Sequence, residues 1–483
     1  MFGTTFMGHQ GWLFHTERAR VLVDPLLCED FGQLHALSYQ VFPPRVFGPE
    51  AFPAVDAVFL SHEHDDHFDV PSLARLDRSI PIHLSSRSSA AGFKILARMG
   101  FSVTPWVPGV PVTYGDLEVV AFANNHVANE CGDEWDTLPY LVKHTGGHGS
   151  FFTMVDITLT PEHLELVKKL VPRPGLVTWT NNALDWSHEA PYMAERTEAT
   201  QQAFVKMGVG HKLITDKWGI PAAMMMCAGG FAFTGERAWL NDQVFCVDHE
   251  AVCNLMANLY KKEKFYAAQP GQTWWLDSNK LKKVDRDQPF LRADVEDRWP
   301  SRLKTGRKSF PDYAPATGKQ GLGDGELDRL RALLDDFARV LVGGKLFRSL
   351  YSMAGPDAGG RKPTFCIVAR DGETERTFAY DAASCTFVDG DAEPRGVYVA
   401  GVEVWASDLL ATLRGEIGPI ALSFGRCRMW NAAPNKLSFA VFEDMYRMSH
   451  PLRHPGVQYQ LYERELAKQP APTIATMMIG KRS

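Results

Sequence analysis

Across Ser61-His62-Glu63-His64-Asp65-Asp66-His67 the chain sets three imidazoles among three carboxylates. Groups packed this densely repel one another or stay hydrated unless a cation lies between them, so packing alone does not explain the stretch. In H-x-H-x-D-H the first two histidines, two positions apart on an extended segment, can face one metal ion. Asp66 and His67 then turn toward a second ion a few ångströms away. A solvated, histidine-rich loop is the bland alternative. The apolar run over residues 55–60, which leads straight into the cluster as a strand feeding a rigid site would, argues against it.

A dinuclear centre needs donors from farther along, and His126 and Asp156 are the candidates. His126 follows a strand expected over residues 117–122, and Asp156 ends one expected over 151–155, so both stand where loops leave a sheet. An aspartate there can bridge two cations with its two oxygens. The ordinary alternatives are a hydrogen-bonded loop histidine for His126 and, for Asp156, the N-cap of a helix over residues 158–166.

These residues need a scaffold. Residues 11–14 and 20–27 read as a hairpin around the polar turn 15–18, and residues 71–76 and 90–99 as helices. Further strands are expected over 139–143 and 151–155. Alternating helices and strands predict a layered α/β sandwich over residues 1–285 that carries the metal and the chemistry. Residues 286–325, rich in charge, Pro and Gly, read as a linker or surface arm. Beyond it, Leu327, Leu330, Leu334, Phe337 and Leu341 recur at helical spacing with Gly343-Gly344 as a stop signal. Strands over 364–369 and 396–404 around a helix at 407–414 complete a smaller α+β domain within residues 326–483, expected to cover the site or to mediate a homodimer. The Pro-Ala-Pro tail at 470–472 reads as loosely ordered.

The chain has 483 residues, enough for two or three domains, and its 45% hydrophobic and 22% charged composition is that of an ordinary globular protein. A net charge of -6 gives no electrostatic case for nucleic acid or an anionic membrane as partner. Neither a secretory signal nor an apolar run long enough for a membrane span is evident. The eight cysteines are scattered without a C-x-x-C pair, which fits a cytoplasmic protein with reduced thiols. Trp179, Trp186, Trp274, Trp275 and the run Met224 to Met226 are read as core more readily than as pocket walls. Arg196, Lys206, Lys212 and Lys217 are read as a solvated helical face rather than a cradle for an acidic substrate.

The histidine cluster, with Gly8-His9-Gln10-Gly11 and Val23-Asp24-Pro25 before it, resembles the metallo-β-lactamase superfamily. That resemblance implies an αββα sandwich with His62, His64 and His126 on the first metal and Asp66, His67 and Asp156 on the second. The family's last histidine has no counterpart in Gly219 to Phe231, and His188, His211 and His249 lie elsewhere, which points to an unusual or open position on the second metal. The Ala228-Gly229-Gly230-Phe231 segment, Asp136-Thr137, Val155 to Thr158 and Gln269 to Thr273 resemble the metallo-β-lactamase-like part of CMP-N-acetylneuraminate hydroxylases, over about residues 1–285. The C-x-H ligand pair of their Rieske module is absent from this sequence. Residues 404–430 resemble a sterol-carrier-type module.

Two enzymatic readings follow. In the first, two irons bind dioxygen and the chain hydroxylates or N-oxygenates a small-molecule substrate, drawing on an external electron donor. In the second, a hydroxide between two zinc ions, oriented by Asp66, attacks an ester, amide, sulfate or phosphate substrate. Iron is expected first, with zinc or manganese as alternatives. A metal-stabilised binding module is the non-enzymatic reading.

Overall fold

The computed structural model describes residues 1–482 except 33–36, 49–50, 125–133, 181–195, 229–230, 243–247, 295–310, 353–359, 432–436 and 472–477. His126, His188 and Trp186 therefore lie outside the described residues, as do Cys131 and Cys246. The other six cysteines are free thiols.

Two sheets stack face to face. The eight-stranded one runs Lys280–Asp285, Thr273–Asp277, Phe2–Gly8, Gly11–His15, Arg20–Val23, Ala57–Leu60, Ile82–Ser85, Val103–Trp106. Its first strands pair antiparallel, and from Arg20–Val23 onward the pairing is parallel. Parallel strands are covered on both faces and carry continuous apolar sequence, and Ala57–Leu60 is buried at every position. The seven-stranded sheet runs from Val112–Tyr114 through Tyr140–His144, Ser150–Thr153 and Leu176–Thr180 to Ala223–Cys227 and Phe265–Ala267. Phe6, Trp12, Phe14, Phe59, Trp106, Tyr140, Phe151, Met225 and Trp274 fill the space between the sheets.

Helices cover both outer faces. Ala90–Arg98 lies over the first sheet, where Ile95 and Leu96 are buried. Pro161–Leu170 and Arg196–Trp218 lie over the second, through Leu164, Val167, Ile214 and Trp218. The arrangement is the αββα sandwich of the metallo-β-lactamase fold. Trp274 and Met224 to Met226 belong to its packed interior. Lys212 pairs with Asp216 and Lys217 with Glu165 on the outer helix.

A smaller α+β unit follows. Its five-stranded sheet, ordered Thr386–Asp389, Thr374–Asp381, Lys362–Asp371, Tyr398–Trp405, Cys427–Asn431, is packed by the helices Glu326–Leu341, Ala406–Leu413 and Leu437–Ser449. The chain then returns to the first unit. Helix Pro455–Ala467 packs against Ala90–Arg98, and its Leu461 and Tyr462 join Ile479 in the core beneath the first sheet. Residues 479 and 481 bridge to Leu76 and Val55.

His83 offers a test of this core. Its ring stacks on Phe59 at 4.6 Å and its Nε2 meets the Tyr114 hydroxyl at 2.8 Å. Burial lowers its pKa to about 4. The unfolded chain, with a histidine near the ordinary 6.5, therefore takes up a proton that the folded chain refuses. Stability contributed by this ring is whole above pH ~6.5 and is lost as pH falls toward ~4. His83→Gln should lose on the order of 2 kcal/mol less than the parent between pH ~7 and ~4.5, read from urea unfolding at the two values.

Candidate metal centre

The cluster stands just beyond Ala57–Leu60, at the C-terminal end of a parallel strand. His62 and His67 are fully buried, and both are oriented by Asp24. The Asp24 carboxylate accepts from the Ser61 backbone N–H at 2.7 Å, the Ser61 hydroxyl at 2.6 Å and His67 Nδ1 at 2.9 Å. With its proton committed to Asp24, Ser61 Oγ can only accept from His62 Nδ1, 2.9 Å away. Both rings thus carry a proton on Nδ1, and each turns its Nε2 inward, as carboxylate-backed metal histidines do.

Both Nε2 atoms are buried. Asp156 Oδ2 lies 2.8 Å from His67 Nε2, an ion-pair distance, and 3.5 Å from His62 Nε2. The three atoms converge on one point. Asp156 does not cap the following helix, which begins at Pro161 and is capped by Thr160, whose side chain accepts from the His163 N–H. Gln10 Nε2 donates to Asp156 Oδ1 at 3.2 Å and leaves Oδ2 toward the histidines.

Three groups of donor atoms come within 4.8 Å of one another: His62, His64 and Asp66; His62, His67 and Asp156; and His9, Asp66 and His67. Of the six residues expected from sequence, five meet here, and His126 is outside the described residues. The structure adds two donors that sequence reasoning did not single out. Glu134 Oε2 stands 3.7 Å from both His62 Nε2 and His64 Nδ1. His9 Nε2 lies 2.9 Å from Asp66 Oδ2. Ala228, just past the strand where the resemblance leads one to seek the last histidine, donates its N–H to the carbonyl of His9 at 3.0 Å. His211 pairs instead with Glu263 and packs on Tyr260, and His249 starts the helix His249–Leu259.

Electrostatics call for a cation. Burial pulls the His67 ring toward neutrality, but Asp66, Asp156 and Asp24 outweigh it and, with no metal bound, hold a second proton on the ring, at the inward Nε2 where a cation would take its place. Burial likewise raises Asp156, and the positive charge of His67 overcomes it to keep that carboxyl well below the usual carboxylate range. His62 is driven well below its ordinary value by burial and by its two imidazole neighbours, so its lone pair is available. Inward Nε2 atoms, paired carboxylates and an oriented outer shell fit a dinuclear metal centre.

The backbone is strained around it. His9, Asp24, Val155 and Ala228 all have left-handed conformations, with φ of 52°, 45°, 55° and 54°. For a β-branched residue such as Val155 this is costly, and it turns the next residue, Asp156, into the site.

A cavity of about 290 Å³ opens onto the donors. Phe31, Tyr39 and Phe231 form part of its wall, and Ile420, Phe424 and Tyr446 of the C-terminal unit close it. Beneath the donors, Glu63 accepts from Tyr462 Oη at 3.1 Å and from the Ser89 N–H, so the returning helix touches the ligand loop. A second cavity of about 530 Å³, between the seven-stranded sheet and Arg196–Trp218, is lined by Trp179 and Met226 and reaches Asp156 from the other side.

Fold and site together define a metallo-β-lactamase-fold protein with an added C-terminal unit. The beta-lactamase superfamily domain matches residues 19–215. An uncharacterized protein of Mycobacterium tuberculosis is 33% identical over 72 residues, which is 15% of this chain and 19% of that protein. The chain thus matches about a fifth of the length of the curated relatives. Among solved structures, CmlA, a diiron beta-hydroxylase from Streptomyces venezuelae, is 18% identical, with 55% of this chain and 52% of that one covered and a TM-score of 0.35. An isothiocyanate hydrolase from Delia radicum gut bacteria is 14% identical, with 57% and 99% covered and a TM-score of 0.39. Among the described residues no helix is long and apolar enough to cross a membrane.

Proposed function

We propose that the chain is a dinuclear metal enzyme, an oxygenase that hydroxylates or N-oxygenates a small molecule at the expense of dioxygen and an external reductant. The observation that carries this reading is the position of Glu134, whose carboxylate lies equally close to His62 Nε2 and His64 Nδ1. His62, His64 and Glu134 would hold one ion, His67, Asp66 and His9 the other, and Asp156 would bridge them. A donor set this rich in carboxylate suits iron or manganese better than a nitrogen-rich zinc site. Two irons so held would relay to dioxygen the two electrons that an external reductant supplies, the substrate giving the other two, whereas zinc would supply only polarisation of water or substrate.

The chain's own groups do the rest. Asp24 and Ser61 keep the His67 and His62 Nε2 atoms inward, and Gln10 keeps Asp156 turned toward both rings. The aromatic walls exclude bulk water from the cavity. Zinc-dependent hydrolysis is the second reading, favoured by Asp66, whose Oδ2 faces the cavity beside His9 and could orient a nucleophilic water.

Protein loaded anaerobically with iron is expected to consume dioxygen once a reductant is added, and zinc-loaded protein is not. Stoichiometric zinc in protein purified without added metal, brisk ester or sulfate hydrolysis and no oxygen uptake from the iron form would leave the hydrolase reading standing alone.

A further inference from the structure

The walls of the cavity carry information about what enters it. On the His9 side the rings form one continuous cluster of tilted and edge-to-face contacts. His9 to Phe31 is 6.0 Å between centroids, Phe31 to Phe231 5.6 Å, Tyr39 to Phe231 4.4 Å, and Phe231 to Phe424 5.5 Å. On the His64 side Trp135 lies 6.1 Å from His64 and 6.1 Å from Tyr446. Two aromatic walls thus flank the metal donors, and each is completed by the C-terminal unit, through Phe424 on one side and Tyr446 on the other.

Charge is distributed just as unevenly. Glu63, Asp65, Asp66, Glu134 and Asp156 face the cavity, and among its described lining residues there is no lysine or arginine. Arg237, a cation close by, sits behind the wall, with its guanidinium 4.9 Å from the Tyr39 ring centroid and a hydrogen bond to the Ser38 carbonyl. Asp66, Glu134 and Asp156 belong to the metal donors, and a phosphate, sulfate or carboxylate on the part of a substrate that points away from the metals would find no lysine or arginine among the described lining residues to pair with. At about 290 Å³ the space is at the small end of ligand sites.

We infer that the substrate is a small compound built on a single aromatic ring and bearing no acidic group, its ring held between Phe231 and Phe424 on one side and Trp135 and Tyr446 on the other. This rests on the metal-enzyme reading for where the reacting end lies, but it identifies the substrate class from the walls alone. The C-terminal unit is accordingly a specificity element, since Ala421 and Phe424 present themselves to the ring.

The test uses the full chain and three matched probes, 2-phenylethanol, phenethylamine and phenylacetate, with binding measured by equilibrium dialysis and metal content by elemental analysis of the same samples. The neutral alcohol and the amine should bind at least about tenfold more tightly than the acid, a difference of roughly 1.4 kcal/mol. Ala421→Trp should fill the cavity and abolish binding of both while leaving metal content at the parent level. Phe424→Leu, a milder change, should weaken it severalfold and covers the case in which the tryptophan variant does not fold. Tighter binding of phenylacetate, or ring binding indifferent to both substitutions, overturns the inference, as does a metal-replete protein that retains none of the three. Protein without metal that still binds the alcohol in an Ala421-dependent way supports the inference while removing the metal-enzyme reading.

Discussion

Asp156→Ala is expected to strip the second metal from the protein and to abolish any oxygen consumption by the iron-loaded form. The carboxylate stands 2.8 Å and 3.5 Å from the inward nitrogens of His67 and His62, so its loss removes an oxygen placed between the two halves of the site. Removing an outer-shell partner of a metal ligand costs about 10–100-fold in affinity, and losing a bridging ligand should exceed that. Elemental analysis should fall from about two ions per chain to one or fewer. Asp156→Asn keeps the shape and the hydrogen bond from Gln10 and should retain more metal than the alanine variant. Unchanged metal content in a folded Asp156→Ala protein would place the centre elsewhere. The double variant His62→Ala, His64→Ala should empty the first position by the same reasoning.

The second large effect concerns the return of the chain. Removing residues 455–483 should leave a protein that is aggregated or far less stable. Leu461, Tyr462 and Ile479 are 4%, 0% and 0% exposed beneath the first sheet. Each such side chain contributes about 1.5–3 kcal/mol by burial, and together they approach the whole stability of a typical domain. The truncation also leaves Glu63 without its Tyr462 partner one residue from the ligand His64. For the same reason a fragment ending near Asp285 should bind metal poorly, because the helix that seals its core is missing. Thermal melts and dynamic light scattering of the truncated and full chains decide it. A truncated chain that melts within a few degrees of the parent would mean that the interface is dispensable.

What could be read from the sequence follows the distance over which the information is encoded. His62, His64, Asp66 and His67 are local, since one strand and one turn bring them together. Asp156 was accessible because a short apolar run precedes it, although the helix expected from residue 158 begins only at Pro161, where the Thr160 cap and proline set the start. Glu134 and His9 were not singled out as donors. Glu134 reaches the cluster from a loop, and His9 from a turn, 57 residues before Asp66, that reads locally as a hairpin. The available signal was a histidine set between glycines in Gly8-His9-Gln10-Gly11, whereas the left-handed backbone of His9 and of Asp24 shows only in the structure. A layered α/β sandwich was legible from the alternation of elements, and its αββα order from the resemblance. The fold-back of Pro455–Ala467 was not, because nothing in an amphipathic helix states which distant surface its apolar face covers.

The hydrogen bond between Tyr462 and Glu63 spans 399 positions of sequence. During synthesis the ligand loop leaves the ribosome early, yet its supporting tyrosine emerges only after the entire C-terminal unit has been made. Until then the apolar surface over Ala90–Arg98 has no cover, and nascent chains carrying it are candidates for chaperone capture. The pocket is therefore assembled last, and a ribosome that stalls within the C-terminal unit releases a histidine cluster without its finished cavity.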